Sequence, residues 1–488
     1  MNTCKYKSKC GGCDYQGLSY EKQLRKKQSY IENLLAPVLL KNGYKKDEVS
    51  KLFQPIMGAE NPYHYRNKVH GVFGVGRNKK CLCGTYEKNS HHVVDIENCQ
   101  IENETAVKII RGVKEMMSSF KLAPYDEDRR TGVMRHVLIR VGEKTEDGEE
   151  YMVVLVTGSK EFPRKKDFVK ELVSRFSEIT TVVWNINEKK TSMVLGDKEE
   201  VLYGNGYVTD TLFDLNYRIS SKSFYQVNKR QTEKLYATAM EFAGESPELL
   251  LDAYCGTGTI GMSMAHRAKK VIGVELNKAA VKDAKQNAKE NGVKNIEFIC
   301  KDAGEYLKAT EETPDVVIMD PPRSGSSKDF LNALLKIKPE RIVYVSCGPE
   351  SLKRDLEYLL RPKHGKRLYK VERIQPIDMF PMTKHVETVC LLSKLHEAKH
   401  HVNIKLDMDE LDLTSAEAKA TYREIEEWVQ EHYGFHVTNL NIAQVKQKHG
   451  IIERENYNKP KSENSRQPGC PEEKVKAIEE ALKHFKMI

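Results

Sequence analysis

Residues Leu249–Gly261, LLLDAYCGTGTIG, decide the fold of the larger part of this chain. An apolar strand pattern runs into Asp252, a segment of small residues follows, and a helical pattern begins. Small residues let the backbone approach a ligand, and the helix N-terminus behind them offers free N–H groups. Glu275 ends the next apolar run, VIGVE, where an acidic side chain binds ribose hydroxyls in nucleotide-binding folds. A tight turn beside a surface Glu is the alternative, but both features occur in register, which favours a nucleotide-like ligand.

The sequence on either side of this stretch alternates between buried strand patterns and helical patterns. After VIGVE the strand-like runs are NIEFICKDA, DVVIMDPP, RIVYVSCG and VCLLSKL. Such alternation is typical of a doubly wound parallel sheet with helices on both faces. We therefore predict an α/β protein in which a Rossmann-like domain occupies residues 221–396.

Two regions precede this domain. Residues 1–54 are predicted to form a cysteine-rich, basic segment followed by a helix over roughly Tyr20–Leu40. In residues 55–220, short alternating runs such as HVLIRVG and YMVVLVTG are separated by Gly, Asn and Asp, which predicts a central α+β domain.

Residues 397–488 follow the Rossmann-like domain and are predicted to form a small helical domain. Its first helix is placed over 415–432, with Ser415 as the N-cap. That helix, the turn after it and the stretch NIAQVKQKHG resemble a helix-turn-helix. The basic side chains of this stretch are then candidate phosphate contacts: Lys446, Lys448 and His449. A helical packing domain without nucleic-acid contacts is the alternative.

Composition narrows the functional class. The 488 residues are 39% hydrophobic, which is enough for real cores and excludes wholesale disorder. No run approaches the about 18 apolar residues of a membrane span, and the N-terminus lacks an apolar export signal, so we expect a cytoplasmic protein that does not bind membranes. Lys and Arg exceed Asp and Glu by 79 to 70, a surplus that indicates a polyanionic partner only if it is clustered.

Three chemically distinctive side chains are predicted at the carboxyl edge of the sheet, two after strands and Glu387 on a short strand. Asp320 stands in DVVIMDPPRSG, Cys347 in RIVYVSCGP, and Glu387 in MTKHVETVC. In isolation Cys347 would be read as a buried hydrophobe and Glu387 as a solvent-facing strand residue. Together at one edge they supply an acid, a thiol nucleophile and a general base.

The eleven cysteines include an N-terminal group spaced C-x5-C-x2-C, formed by Cys4, Cys10 and Cys13, with Cys99 far downstream. Four thiolates suit a 4Fe–4S cluster, whereas C-x2-C is also half of a zinc site. Cys81 and Cys83 are alternative fourth ligands, and unligated thiols are the simplest interpretation. The residues alone leave these alternatives open.

The chain resembles the RNA uracil-5-methyltransferase family over residues 1–396. The resemblance rests on FYQVN, DAYCGTGTIG, GVELN, MDPPRSG, VSCGP and MTKHVE. It implies that S-adenosylmethionine is the cofactor and that Cys347 is the nucleophile and Glu387 the base. The side chains implied to contact the cofactor are Gln226, Tyr254, Glu275, Asp320, Thr259 and Asp302.

The resemblance also implies a 4Fe–4S cluster on Cys4, Cys10, Cys13 and Cys99, because the ribosomal-RNA branch of the family carries this spacing and the transfer-RNA branch generally lacks it. The implied partner is 23S ribosomal RNA, bound in part by the central domain, and we expect a monomer. Two features depart from that branch: the small β-barrel that often precedes the first cysteine is not seen before Cys4, and residues 397–488 extend beyond the family's usual end. A transfer-RNA methylase and an RNA-binding protein without turnover are the competing interpretations.

Overall fold

The computed structural model divides the chain into two compact units, Met1–Glu397 and Ala398–Ile488. It describes residues 3–76, 80–87, 90–144, 148–191, 193–362, 366–395, 421–449, 451, 470–485 and 487–488. Within these ranges, no helix has the length and apolar character needed to span a lipid bilayer.

The helices described in the first unit are α1 (Lys7–Cys10), α2 (Tyr20–Lys41), α3 (Lys46–Leu52), α4 (Glu104–Ser119), α5 (Lys165–Arg175), α6 (Lys229–Ala243), α7 (Thr259–Met264), α8 (Lys278–Glu290), α9 (Ala303–Ala309), α10 (Lys328–Ile337) and α11 (Pro349–Leu359). The strands are β1 (Lys68–Val75), β2 (Cys81–Tyr86), β3 (Val93–Asp95), β4 (Met134–Lys144), β5 (Gly148–Thr157), β6 (Ile179–Ile186), β7 (Lys198–Tyr203), β8 (Tyr207–Leu212), β9 (Leu215–Ser220), β10 (Leu249–Ala253), β11 (Lys270–Glu275), β12 (Ile296–Cys300), β13 (Val316–Met319), β14 (Arg341–Ser346), β15 (Tyr369–Ile377) and β16 (Glu387–Lys394).

The later strands form a seven-stranded sheet in the order β12-β11-β10-β13-β14-β16-β15. The first five strands of that order are mutually parallel, whereas β16 runs antiparallel to β14 and to β15. Strand order reverses between β10 and β13, the point at which open α/β sheets bind ligands beyond the carboxyl ends of their strands. The predicted α/β, Rossmann-like fold is confirmed.

Two apolar layers enclose this sheet. Helices α6, α7 and α8 cover one face, and α9, α10 and α11 cover the other. The N-terminal helix α2 joins the second layer through Ile31, Leu35 and Leu39, all of which are fully buried. Ser19 caps α2 by accepting a hydrogen bond from Lys22 N. The helix that follows the first cysteines therefore belongs to the Rossmann-like sheet through its packing.

A second seven-stranded sheet has the order β3-β2-β1-β4-β5-β6-β7, and only its β5–β6 pair is parallel. Helices α4 and α5 pack on one face of this sheet. The β8–β9 hairpin covers the other face and joins the apolar layer of α6 to α8. The mixture of strands and helices predicted for residues 55–220 is present, and the bounds of a central domain stay a prediction.

The second unit contains α12 (Tyr422–Tyr433), α13 (Asn439–Lys448) and α14 (Glu472–His484) around a small apolar core. Thr421 caps α12 by accepting a hydrogen bond from Glu424 N. The predicted cap Ser415 lies outside the described residues.

The prediction of Lys446 as a phosphate contact is wrong. Its side chain is only 1% exposed, and its Nζ lies 4.5 Å from the centre of the Tyr422 ring. Lys448 and His449 both lie against Glu479, at 3.5 and 2.9 Å respectively. The structure therefore contradicts the predicted role of Lys446 alone, and a phosphate-binding role for Lys448 and His449 stays a prediction.

Candidate active site

The loop after β10 turns back on itself in a conformation that favours glycine. Gly256 and Gly258 both have positive φ, at 57° and 79°. A Cβ on Gly258 would lie 2.5 Å from Cζ of Phe298, so no larger residue fits there. Asp252 closes the loop, because its Oδ2 accepts a hydrogen bond of 2.8 Å from Gly261 N. This hydrogen bond fixes the loop, whose backbone faces the space beyond the carboxyl edge of the sheet.

Glu275 stands beside this loop at the end of β11. One carboxylate oxygen accepts a hydrogen bond from Gly256 N at 3.1 Å, and the other accepts one from Asn277 N at 2.8 Å. Each carboxylate oxygen has a second lone pair available. Glu275 is therefore fixed in place while it keeps the capacity to accept hydrogen bonds from hydroxyl groups of a ligand.

A cavity of about 600 Å³ opens at the carboxyl edge of the sheet, next to this loop. All eight predicted cofactor and catalytic residues line it: Gln226, Tyr254, Thr259, Glu275, Asp302, Asp320, Cys347 and Glu387. The structure thus brings together side chains that are up to 161 positions apart in sequence (226 to 387).

Strand register places Cys347 and Glu387 next to each other. Strands β14 and β16 pair antiparallel up to Ser346 opposite Thr388. Cys347 follows Ser346, and Glu387 precedes Thr388, so continuing the register by one position sets the thiol and the carboxylate side by side. A nucleophile and a candidate base therefore stand together at one end of the cavity.

Burial controls the protonation of this pair. It raises the pKa of the Cys347 thiol to about 12, and the negative charges of Glu387 and Asp320 add to the effect while Arg323 opposes it. Burial likewise raises the pKa of Glu387 to about 8, with Asp320 adding and Arg323 opposing. Without a further positive charge, the cavity therefore favours a neutral thiol and a protonated Glu387 at neutral pH.

Asp320 directly follows β13. Its main-chain N–H donates a hydrogen bond to the main-chain oxygen of Ala253 at 3.4 Å. Burial raises the pKa of its carboxyl to about 7. Its position between the glycine loop and the Cys347–Glu387 pair allows it to serve either a cofactor or the reacting groups.

Gln226 is fixed from the other sheet. The side chain of Asn67 donates a hydrogen bond to the main-chain oxygen of Gln226 at 3.0 Å. The main-chain N–H of Asn67 donates to the main-chain oxygen of Val227 at 2.9 Å. Two other predicted residues are engaged in their own local structure. Thr259 shares a 2.9 Å hydrogen bond with the Tyr236 hydroxyl, and Asp302 caps α9.

Sequence reasoning did not assign several further side chains that line the cavity, among them Phe224, Arg323 and Phe380. Phe224 is 68% exposed, an unusual state for a phenylalanine, at the cavity mouth. Phe224 and Arg323 stand in motifs quoted above, FYQVN and MDPPRSG, and Phe380 lies shortly before MTKHVE. An aromatic residue beside a polar motif was the available signal, but a sequence does not show which aromatic side chains stay exposed.

The four N-terminal candidate ligands lie together. Cys4, Cys10, Cys13 and Cys99 all line one small cavity of about 30 Å³. Burial raises the pKa of the Cys13 thiol to about 11. Nevertheless, the described ranges hold no group of three or more His, Cys, Asp or Glu side chains that could hold a metal ion.

Hydrogen bonds tie the loop that carries these cysteines to the segment around Cys99. Gln16 donates to Gln100 Oε1 at 3.1 Å, and the Tyr6 hydroxyl accepts from Glu97 N at 2.9 Å. The alternative ligands Cys81 and Cys83 pack with the apolar core of the central sheet and do not line this cavity.

Comparison with known proteins places these features in a family. A family model described as tRNA (uracil-5-)-methyltransferase matches residues 191–395. A protein of Oceanobacillus iheyensis, described as an uncharacterized RNA methyltransferase, is 40% identical over 79% of this chain and 81% of its own length. A protein of Halalkalibacterium halodurans with the same description is 39% identical over 80% of this chain and 82% of its own length.

Among solved structures, the tRNA (uracil-54, C5)-methyltransferase of Pyrococcus abyssi in complex with S-adenosyl-L-homocysteine is similar over 78% of this chain and 86% of its own. The two share 28% sequence identity, with a TM-score of 0.64. With the sheet order and the cavity described above, these matches show that the chain belongs to the RNA uracil-5-methyltransferase family, which has a class I, S-adenosylmethionine-dependent methyltransferase fold.

Proposed function

We propose that this protein transfers a methyl group from S-adenosylmethionine to carbon 5 of a uridine in 23S ribosomal RNA, through a covalent adduct with Cys347. The observation that carries the proposal is the Cys347–Glu387 pair in a cavity whose other end is the glycine loop and Glu275. One cavity therefore offers both a nucleotide-binding edge and a nucleophile with its base.

The residues present fit the cofactor. Glu275 is oriented to accept hydrogen bonds from ribose hydroxyls, and the ring of half-buried Tyr254 faces the same cavity. Gln226, Asp320, Thr259 and Asp302 line the same cavity. When bound, S-adenosylmethionine supplies an activated methyl group on a positively charged sulfonium.

The reaction needs a nucleophile because carbon 5 of uracil does not take up a methyl group unaided. The Cys347 thiolate adds to carbon 6, and the electron pair of the carbon 5–carbon 6 double bond moves into the carbonyl to give an enolate. Carbon 5 then takes the methyl group. Glu387 removes the carbon 5 proton, the double bond re-forms, and Cys347 leaves as a thiolate.

The raised pKa of Cys347 opposes the first step, which needs the thiolate, so a nearby positive charge has to favour ionisation. In the cavity Arg323 favours the Cys347 thiolate and opposes the effect of Glu387 and Asp320. A positively charged methyl donor held in this cavity would lower both pKa values. Ionisation of Cys347 is thereby linked to the presence of the methyl donor.

For the N-terminal cysteines we propose a 4Fe–4S cluster held by Cys4, Cys10, Cys13 and Cys99. The support is that all four thiols line one cavity and that thiolates are the usual ligands of such clusters. The chemistry above contains no redox step, so the cluster would order the loop of α1 against the segment around Cys99. Stoichiometric zinc without iron in protein purified anaerobically would contradict this proposal.

The choice of 23S ribosomal RNA rests on this cysteine set. Transfer RNA is the second candidate, favoured by the description of the matching family model and by the substrate of the Pyrococcus abyssi enzyme. Methylation of each purified RNA by the wild-type protein, followed by mapping of 5-methyluridine, separates the two. Methylation of transfer RNA alone would contradict the ribosomal assignment.

The chemical mechanism is tested with RNA that carries 5-fluorouridine at the target position. Fluorine cannot leave as a proton does, so the wild-type protein should form an adduct that survives a denaturing gel. The Cys347→Ala protein should form none but still bind S-adenosylmethionine, whereas Cys300→Ala, which changes an exposed thiol, should behave as wild type. An adduct with Cys347→Ala would refute the nucleophile assignment. RNA binding without methylation by the wild-type protein would favour a binding protein without turnover.

A further inference from the structure

The segment 378–386 joins β15 to β16 and leads directly into Glu387. It also carries Phe380, which lines the cavity. Met382 within it has a positive φ of 68°, which is strained for a side chain of this kind and persists only where the surroundings enforce it. The contacts that enforce this conformation fix the chain that leads into Glu387, which is itself paired with Ile377 of β15.

A buried ion pair holds the start of this segment. Lys27 Nζ of α2 lies 2.5 Å from Asp378 Oδ1, and both side chains are fully buried. The same Nζ donates to the main-chain oxygen of Phe380 at 3.0 Å. The Tyr20 hydroxyl donates to the other oxygen of Asp378 at 2.9 Å and accepts from Ala59 N at 2.6 Å.

The rest of the segment is bound by the same N-terminal region. Met382 N donates to the side chain of Gln23 at 3.0 Å, and Met382 O accepts from Tyr15 N at 2.9 Å. Lys384 N donates to Asp14 Oδ2 at 3.0 Å. The loop between β15 and β16 is therefore fixed largely by residues 14–27.

A buried ion pair is a poor way to stabilise a fold, because removing both charges from water costs about as much free energy as their attraction returns. Its benefit is geometric, since a fully buried charge tolerates only one arrangement of its partner. Here that partner, Asp378, is the first residue of the segment that leads into Glu387. Lys27 also binds this segment at the main-chain oxygen of Phe380.

We propose that Lys27 is a positioning residue that, through Asp378 and the main chain of Phe380, sets Glu387 against the carbon that loses its proton. The proposal rests on the proposed function. It assigns to the N-terminal helix a part in proton removal and leaves addition of Cys347 to β14, which Lys27 does not touch.

The first test is independent of any reaction. Hydrogen exchange followed by mass spectrometry is compared for the full-length wild-type, Lys27→Met, Tyr20→Phe and Leu39→Ala proteins. Leu39 is the matched control, because it is fully buried near the opposite end of α2. We expect exchange in 378–386 to rise about tenfold in Lys27→Met, and less in Tyr20→Phe, with β13 unchanged. Leu39→Ala should leave 378–386 as in wild type.

The second test separates the chemical steps. With 5-fluorouridine RNA, Lys27→Met should form as much adduct as wild type, because addition and methyl transfer do not need Glu387. With ordinary uridine, methylated RNA should accumulate as an adduct on Lys27→Met, and turnover should fall about tenfold or more. Lys27→Arg, which keeps the charge, should recover part of the turnover.

Unchanged exchange in 378–386 of Lys27→Met overturns the proposal. So does an equal loss of adduct formation, cofactor binding and turnover, which would mark Lys27 as a general folding residue. If Lys27→Met does not fold, Tyr20→Phe carries the same two tests. A wild-type protein that forms no adduct refutes the proposed function instead, and the exchange result still decides whether Lys27 holds the segment.

Discussion

Replacing Glu387 with Gln should stabilise the protein at high pH, and the gain should disappear in acid. The pKa of Glu387 is raised from 4.5 to about 8, chiefly by burial. Folding therefore favours the protonated form, while the unfolded chain releases the proton above pH 4.5. Stability consequently falls as the pH rises from 4.5 to about 8, and it changes no further above that.

The size of the effect follows from the two pKa values. Each pKa unit corresponds to 1.36 kcal/mol, so the native carboxyl destabilises the fold by about 3 kcal/mol at pH 7 and about 5 kcal/mol at pH 9. Gln is nearly isosteric with the protonated acid and has no charge to lose. Glu387→Gln should therefore exceed wild type by up to these amounts at pH 7 and 9, and by almost nothing at pH 4.5.

Urea unfolding of both proteins at pH 4.5, 7 and 9 measures this difference. Glu297→Gln is the matched control, because Glu297 is an exposed glutamate on β12 of the same sheet, and its difference from wild type should be small and independent of pH. A Glu387→Gln advantage that stayed constant across the three pH values would refute the reasoning. In that case the buried carboxyl would be ionised in the folded protein throughout.

Three further changes have expected outcomes. Gly258→Ala should reduce S-adenosylmethionine affinity about tenfold or more by calorimetry, because the added Cβ meets the Phe298 ring at 2.5 Å in a left-handed turn. Gly292→Ala, also at positive φ but with open space around it, should leave that affinity unchanged. Phe224→Ala should raise the KM for RNA about tenfold with the melting temperature retained, because an exposed ring at the cavity mouth can stack on a base; an unchanged KM would exclude such stacking. Lys446→Met should leave RNA affinity unchanged over a salt series, because the Lys446 ammonium is buried against Tyr422; weaker binding with a smaller salt slope would contradict this.

The sequence was most informative where structure is local. The apolar runs that became β10, β11, β13 and β14 are buried on both faces, so each is visible as a short unbroken pattern. Because parallel strands share one carboxyl edge, the residues that follow those runs, including Asp320 and Cys347, had to meet there. Their placement around one cavity needed only strand order.

What the sequence did not reveal depends on contacts between distant segments. Lys27 lies in a strongly basic stretch, and nothing near it indicates a buried partner at Asp378. The sequence did contain a pattern that could have prevented the error at Lys446. Ile442 precedes it by four residues and is itself buried, so the helical period already turned Lys446 inward.

The Lys27–Asp378 contact joins residues 351 positions apart, and it has a consequence for the order in which the chain can fold. The N-terminal helix can close on Asp378 only when the chain up to that residue has been synthesised, and β14 gains its second neighbour when β16 follows. Contacts of such long sequence separation form late in folding. A nascent chain can therefore assemble its nucleotide-binding edge while the base is still unplaced, so that a methyl donor is bound before the protein is competent to complete the reaction.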